Sequence, residues 1–183
     1  IAITDHNTLS QLSDIRALAP EPDLTIIPGT EITTFQGHAN VFGLLEPLEF
    51  QLGTDRLPDI DALLDEVEAR GALISINHPG LPSGERCMGC GWTAETDWSR
   101  IDAIEVINGS LSRTGAEEGP YSGIPFWEDL LRRGYRLTAI GELPAAAALD
   151  PVAACLGTHR VGRDGGVYVG ADFHFRFTKS VSG

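Results

Sequence analysis

IAITDHNTL (residues 1–9) reads as the end of a β-strand running into a cluster of ligating side chains. Ile1, Ile3 and Thr4 are β-branched and suit a pleated, half-buried strand, which gives way at once to Asp5, His6 and Asn7. A charged and a ligating group straight after an apolar strand are costly unless paired or bound, so this junction is the first candidate for a site. No turn precedes Ile1, which sets the expectation that the protein begins earlier than this sequence does.

Outward from there, Leu9, Leu12, Ile15 and Leu18 recur at helical spacing, with Asn7 or Thr8 as cap and Pro20 and Pro22 as the stop. LTIIPGTEITT (24–34) reads as a strand, a break at Pro28-Gly29 and a second short strand, with HANVFGLL (38–45) as its partner. PDIDALLDEVEAR (58–70) is the clearest helix: Pro58 falls in its first turn, acids come early, and Ile60, Leu63, Leu64 and Val67 share a face. ALISINHPG (72–80) follows as a strand entering a His-Pro turn, then a Gly- and Cys-rich loop over 80–92. IDAIEVING (101–109) is a strand, Tyr121 to Arg133 a helix, and YRLTAIG (135–141) another strand.

Strand, helix and strand in repetition predict an α/β fold of parallel β/α construction. The polar residues fall just after the strands, at the end where barrels and open α/β sheets build their chemistry. After Gly141 the sequence has neither a clean helical nor a clean strand period, although AAAAL alone favours helix. The expected division is therefore a β/α core over 1–141 and an atypical segment over 142–183.

The 183 residues, 42% hydrophobic and 21% charged, are enough for one domain with a real core. No run approaches the roughly 18–20 apolar residues of a membrane span, so no membrane partner is expected. A formal charge of −13 argues against strong nucleic-acid binding, which needs Lys and Arg to neutralise phosphates. The compartment stays open: the cytoplasm is favoured, and a secreted or periplasmic location follows if a signal peptide precedes Ile1. The oligomeric state is likewise open. Cys87 and Cys90 form a C-x-x-C that reads first as a loop pair, reduced or bridged according to compartment, with zinc or redox function as the alternative. A structural zinc needs two more ligands, and no second C-x-x-C or H-x3-H follows at ribbon or finger spacing.

Asp5, His6, Glu31, His38 and His78 all stand at or near strand ends. Singly, each has a structural explanation as a turn, helix-start or surface residue. Jointly, imidazoles with a carboxylate suit Zn2+, Mn2+ or Fe2+, and different strand ends bring residues distant in sequence to one centre.

AITDHNT, PGTEITT, GHANVFG, NHPG and IEVING, in that order, resemble the PHP (polymerase and histidinol phosphatase) superfamily, and within it the carbaryl-hydrolase-like metallohydrolases. The resemblance covers about residues 1–141 and implies a distorted (β/α)7 barrel binding two or three divalent metals at its strand ends. It implies that His6 is a metal ligand, Glu31 a carboxylate ligand able to bridge two metals, and His78 a further ligand. Asp5, as an orienting carboxylate, and His38, favoured over Asn40 as the inward residue of its strand, are the candidate catalytic residues. Glu105 and Asn108 are candidates to line the pocket, and Arg86 or Arg113 to grip an anion. The implied activity is metal-assisted hydrolysis of a small-molecule phosphoester, ester or carbamate by an activated water, with the ions offsetting charge on the substrate.

Two parts of the family pattern are missing. The first strand, with its H-x-H, would precede Ile1, and the strand RLTAIG runs into GELPAAAALDP instead of Gly-Ser-Asp-x-His, so an incomplete barrel is expected. Asp172 and His174, in GADFH, reproduce a D-x-H about thirty residues late and are candidate replacement ligands. A second explanation is an altered reading frame after Gly141, which the coding DNA would settle. The rival to an enzyme is a catalytically incomplete barrel or binding module with a partial metal site.

Overall fold

The computed structural model describes residues 1–17, 25–85, 87–108 and 121–142, together with two short segments, 159–161 and 167–169. Six strands form one mixed sheet, in the order β1 (Ala2–His6), β2 (Ile27–Thr34), β3 (Gly37–Phe42), β4 (Leu73–Ile76), β5 (Ala103–Asn108) and β6 (Thr138–Glu142). β1 pairs parallel to β2, and β4, β5 and β6 run parallel to one another. β3 is antiparallel to both its neighbours, so the sheet is not the all-parallel array that the β/α repeat suggests. The arrangement is a half-barrel sheet, compatible with a partial barrel.

The alternation along each strand, read through the register, separates two faces. Ile32, Ala39, Ile76, Ile104 and Ala139 fall in line across β2 to β6, all buried. Helices α1 (Leu12–Ala17), α2 (Ile60–Ala69) and α3 (Ile124–Arg132) are tied to this face through Leu12, the Ile60, Leu63, Leu64 and Val67 stripe, and Trp127 with Leu130. The opposite face carries Glu31, Asn40, Ser75 and Glu105, also buried.

Local differences from the sequence reading have local causes. β2 passes straight through Pro28-Gly29: the antiparallel ladder with β3 begins only at Gly29, and the Pro28 carbonyl accepts from the Gly43 N–H at 2.7 Å. The missing proline N–H therefore interrupts nothing. A Cβ on Gly29 would meet the Val41 carbonyl, so glycine is needed for that close approach. α1 starts at Leu12 because residues 7–11 form turns that anchor Leu9 in the core. α2 starts at Ile60, capped by the Asp59 carboxylate, which accepts from the Ala62 N–H at 2.9 Å and leaves Pro58 just outside. The segment after 141 includes an antiparallel pair, β7 (His159–Val161) with β8 (Val167–Val169), where no period was legible. No helix of the described residues is long and apolar enough to cross a membrane.

Candidate metal centre

β3 runs against its neighbours, so its first residues lie beside the C-terminal ends of the other strands, and His38 enters the site from the start of its strand. His6 is paired with Glu31 in the β1–β2 register, which puts both on the polar face. Asn7 fixes that register: its side chain accepts from the Thr33 N–H at 2.9 Å and donates to the Thr33 carbonyl at 3.3 Å. His78 follows the end of β4, where alternation alone would turn it toward the apolar face. Its left-handed backbone, with φ of 31°, breaks the alternation, and its N–H donates to the buried Glu105 carboxylate at 3.1 Å.

Three imidazoles consequently meet the Glu31 carboxylate. His38 Nδ1 lies 3.2 Å from Oε1, His78 Nε2 lies 3.5 Å from the same oxygen, and His6 Nδ1 lies 3.6 Å from Oε2. Glu31, His38 and His78 are buried, whereas the His6 side chain is 65% exposed and contacts Thr33 Oγ1 at 2.6 Å. Burial pushes the Glu31 carboxyl upward, but bonds to His38 and His78 and the charges of His6 and His78 outweigh it and hold the group at about 2.

The other sequence candidates divide. Asp5 lies on the opposite face of β1 and is exposed; among the described residues no bond joins its carboxylate to Glu31 or the imidazoles, so it is not placed to orient them. Asn40 stands opposite Glu31 in the register, is buried, and has no partner at Oδ1 among the described residues. His38 and Asn40 thus both face inward, and no choice between them was needed. Glu105 holds the His78 backbone, and Asn108 is half-buried at the end of β5. Arg86, Arg113, Asp172 and His174 lie outside the described residues.

A second group of donors adjoins the first. The loop carrying Cys87 and Cys90 packs over the site: His38 Nε2 is 3.0 Å from the Met88 carbonyl, and Cys90 Sγ is 3.5 Å from His78 Nδ1. Cys87 and Cys90 are joined as a disulfide. One ligand atom from each of His38, His78, Cys87 and Cys90 lies within 4.8 Å of the others. The C-x-x-C is visible in the sequence, but its neighbours sit at the ends of β3 and β4, 49 and 9 residues before Cys87, and ribbon or finger spacing gives no sign of them.

Nitrogen, oxygen and sulfur donors clustered this closely suit a divalent transition ion. Buried polar atoms without partners among the described residues, Asn40 Oδ1 and both side-chain polar atoms of Asn77, add acceptors and a donor beside the same strand ends. The residues present therefore fit a metal, and this His/Cys cluster could hold one.

No family model matches the chain. No curated protein matches it either. Among solved structures, it is similar to a two-domain protein from Bacteroides vulgatus that contains a predicted PHP-like metal-dependent phosphoesterase. The two are 23% identical with a TM-score of 0.46, over 78% of this chain and 41% of that one. This chain thus spans less than half the length of that neighbour.

Proposed function

We propose that this chain is the core of a metal-dependent hydrolase of the PHP type, built on a distorted (β/α)7 barrel and belonging to the carbaryl-hydrolase-like branch. The observation that carries this reading is the Glu31 carboxylate, buried and met by imidazoles from β1, β3 and the end of β4 at 3.2–3.6 Å. A buried carboxylate among three imidazoles serves no packing purpose on a sheet whose other face supplies the hydrophobic core, and it is the donor set that a divalent ion takes. Glu31, His6 and His78 would be the ligands, with His38 beside them. When bound, such an ion acidifies a water and offsets charge gathering on a substrate oxygen.

The chain's own residues would do the rest. Glu105 fixes the His78 backbone, Thr33 steadies the His6 ring, and Glu31 sets the ring orientations of His38 and His78. His6, exposed on the rim, is the side chain best placed to meet a substrate entering from solvent. The substrate proposed is a phosphate ester, or a small ester or carbamate, with Zn2+, Mn2+ or Fe2+ as the ion.

The test is metal content of the purified chain together with hydrolysis of p-nitrophenyl phosphate and an aryl ester in added Mn2+ or Zn2+. Stoichiometric metal with turnover, both lost in Glu31→Gln, is the expected result. A chain that holds no stoichiometric metal overturns it. Metal without turnover would favour the binding-module alternative, to which the exposure of His6 on the edge strand lends some support.

A further inference from the structure

We infer that Cys87 and Cys90 are metal ligands held in reserve as a disulfide, and that reduction completes a Cys2His2 site for Zn2+ with His38 and His78. The site would form on the loop side of the two imidazoles, away from Glu31.

Each imidazole has one nitrogen toward Glu31 and the other toward the Cys loop. For His78 these are Nε2, 3.5 Å from Glu31 Oε1, and Nδ1, 3.5 Å from Cys90 Sγ. For His38 they are Nδ1, 3.2 Å from the same Glu31 oxygen, and Nε2, 3.0 Å from the Met88 carbonyl. A carboxylate behind an imidazole fixes its tautomer and makes the far nitrogen a better ligand, and here one oxygen does so for two rings. The Met88 carbonyl and Glu31 thus lie at opposite nitrogens of the His38 ring, and Nε2 is the one that a cation on the loop side would meet.

The loop is seated rather than loosely draped. Gly89, with φ of 80°, lies so close to the Thr34 carbonyl that a Cβ there would collide with it, and Gly37 similarly leaves room for the Trp92 ring. The Gly89 N–H donates to Ser83 Oγ at 3.0 Å, and the Thr93 N–H to the Gln36 carbonyl at 2.7 Å. These contacts hold the Cys pair against the β2–β3 turn and the His38 and His78 rings whether or not the sulfurs are bonded. Cys90 is buried and Cys87 half-buried, so the donors are shielded from competing water.

The redox step balances with an external dithiol as reductant. Its thiolate attacks one sulfur of the Cys87–Cys90 bond, and its second thiol resolves the mixed disulfide. Two electrons pass to the cysteines, the dithiol leaves as its own disulfide, and Zn2+ binding then releases the thiol protons. Two thiolates with two neutral imidazoles make a closed, structural type of zinc set; a neutral His78 serves one ion, so this set and the carboxylate-bearing set on the other side of the rings are alternative occupancies.

Thiolate ligation needs no hydrolytic activity, so the two readings fail separately. The reduced chain is loaded with Co2+ alone; thiolate ligation gives an intense sulfur-to-cobalt charge-transfer absorption in the near ultraviolet. That absorption should appear with one ion per chain, vanish after oxidation by a small disulfide, return with a dithiol, and survive Cys155→Ser, which removes the third cysteine of the sequence. Oxidation should lower Zn2+ affinity at least about a hundredfold. Because Cys87→Ser and Cys90→Ser variants can fail to fold, a second measurement uses the native sequence: Zn2+ should protect both cysteines of the reduced chain from alkylation, read peptide by peptide. Cobalt bound without thiolate absorption, or equal alkylation with and without Zn2+, overturns the inference. Either result leaves hydrolysis of p-nitrophenyl phosphate to be judged on its own.

Discussion

The two faces of the six-stranded sheet are made by the same strands, residue by residue in alternation, and are buried to a similar degree, yet they obey different rules. On one face Ile32, Val41, Ile74, Ile76 and Ile104 pack against the helices and are satisfied by contact alone, and the buried Thr30 hydroxyl among them donates to the Asp5 carbonyl at 3.0 Å. On the other, Glu31, His38, Asn40, Ser75 and Asn77 are buried too, and several of their polar atoms have no partner among the described residues. Burying a polar group without a hydrogen bond costs free energy, so the second face lowers stability that the first supplies. A sheet keeps such a face when something binds there, which is the physical content of the proposed metal centre.

The largest effect that would sharpen this contrast is cavity formation on the apolar face. Ile76→Ala, at a side chain with no solvent exposure, should lower stability by about 4 kcal/mol in urea unfolding, with metal content of the folded chain unchanged. A comparable loss of metal would mean that the two faces are not independent.

Next comes charge on the polar face. In the chelator-treated chain, Glu31 is held at about 2 against an ordinary 4.5, so the stability it contributes is fully present above about pH 4.5 and is lost as the pH falls toward 2. That contribution is on the order of 3 kcal/mol, and Glu31→Gln should remove it. The stability gap between parent and variant should accordingly close across this window, as followed by urea unfolding at each pH. A gap that stays constant would show that the imidazoles do not stabilise the carboxylate.

Ser75→Ala tests the opposite sign. The Ser75 hydroxyl is fully buried on the polar face with no hydrogen-bond partner among the described residues, so its removal should raise stability by about 1 kcal/mol. Destabilisation instead would indicate that this hydroxyl is satisfied, and that the polar face is less strained than Glu31 and its neighbours suggest.

Much of this contrast was legible in the sequence. The apolar stripe of α2 and the strand at ALISI follow from periodicity, and Glu31, His38 and His78 could be picked out because ligating groups at strand ends are unexpected on burial grounds. What the β/α repeat did not announce was strand direction, although three residues between 34 and 38 are too few for a parallel crossover. Had β3 been parallel, His38 would lie at the far end of the sheet from Glu31; the reversal brings them together, and a hairpin turn at Phe35-Gln36 is its only local trace. Asp5 misled for a related reason: adjacency to His6 in the chain means the opposite face on a strand. The Cys loop was legible as a motif and not as a neighbour, because its seat depends on long-range packing of Gly37 against Trp92 and Gly89 against Thr34.

The smallest expected effect lies on the outer surface of the apolar side, where α2 is also held by charge. Arg100, in the short helical turn Trp98–Arg100 just before β5, contacts Asp65 at 2.6 Å, Glu68 at 2.9 Å and Asp61 at 3.7 Å. Its guanidinium is driven further toward the charged form by the Glu68 and Asp65 bonds. All three carboxylates are well exposed, so solvent and salt screen most of that attraction. Arg100→Ala should therefore cost only about 0.5 kcal/mol, falling further in 1 M salt, while Leu64→Ala on the buried stripe of the same helix costs several times more. If Arg100→Ala proved as damaging as Leu64→Ala, α2 would be held to the sheet by its ion pairs rather than by the face it buries, and the division of labour between the two sides of the sheet would have to be redrawn.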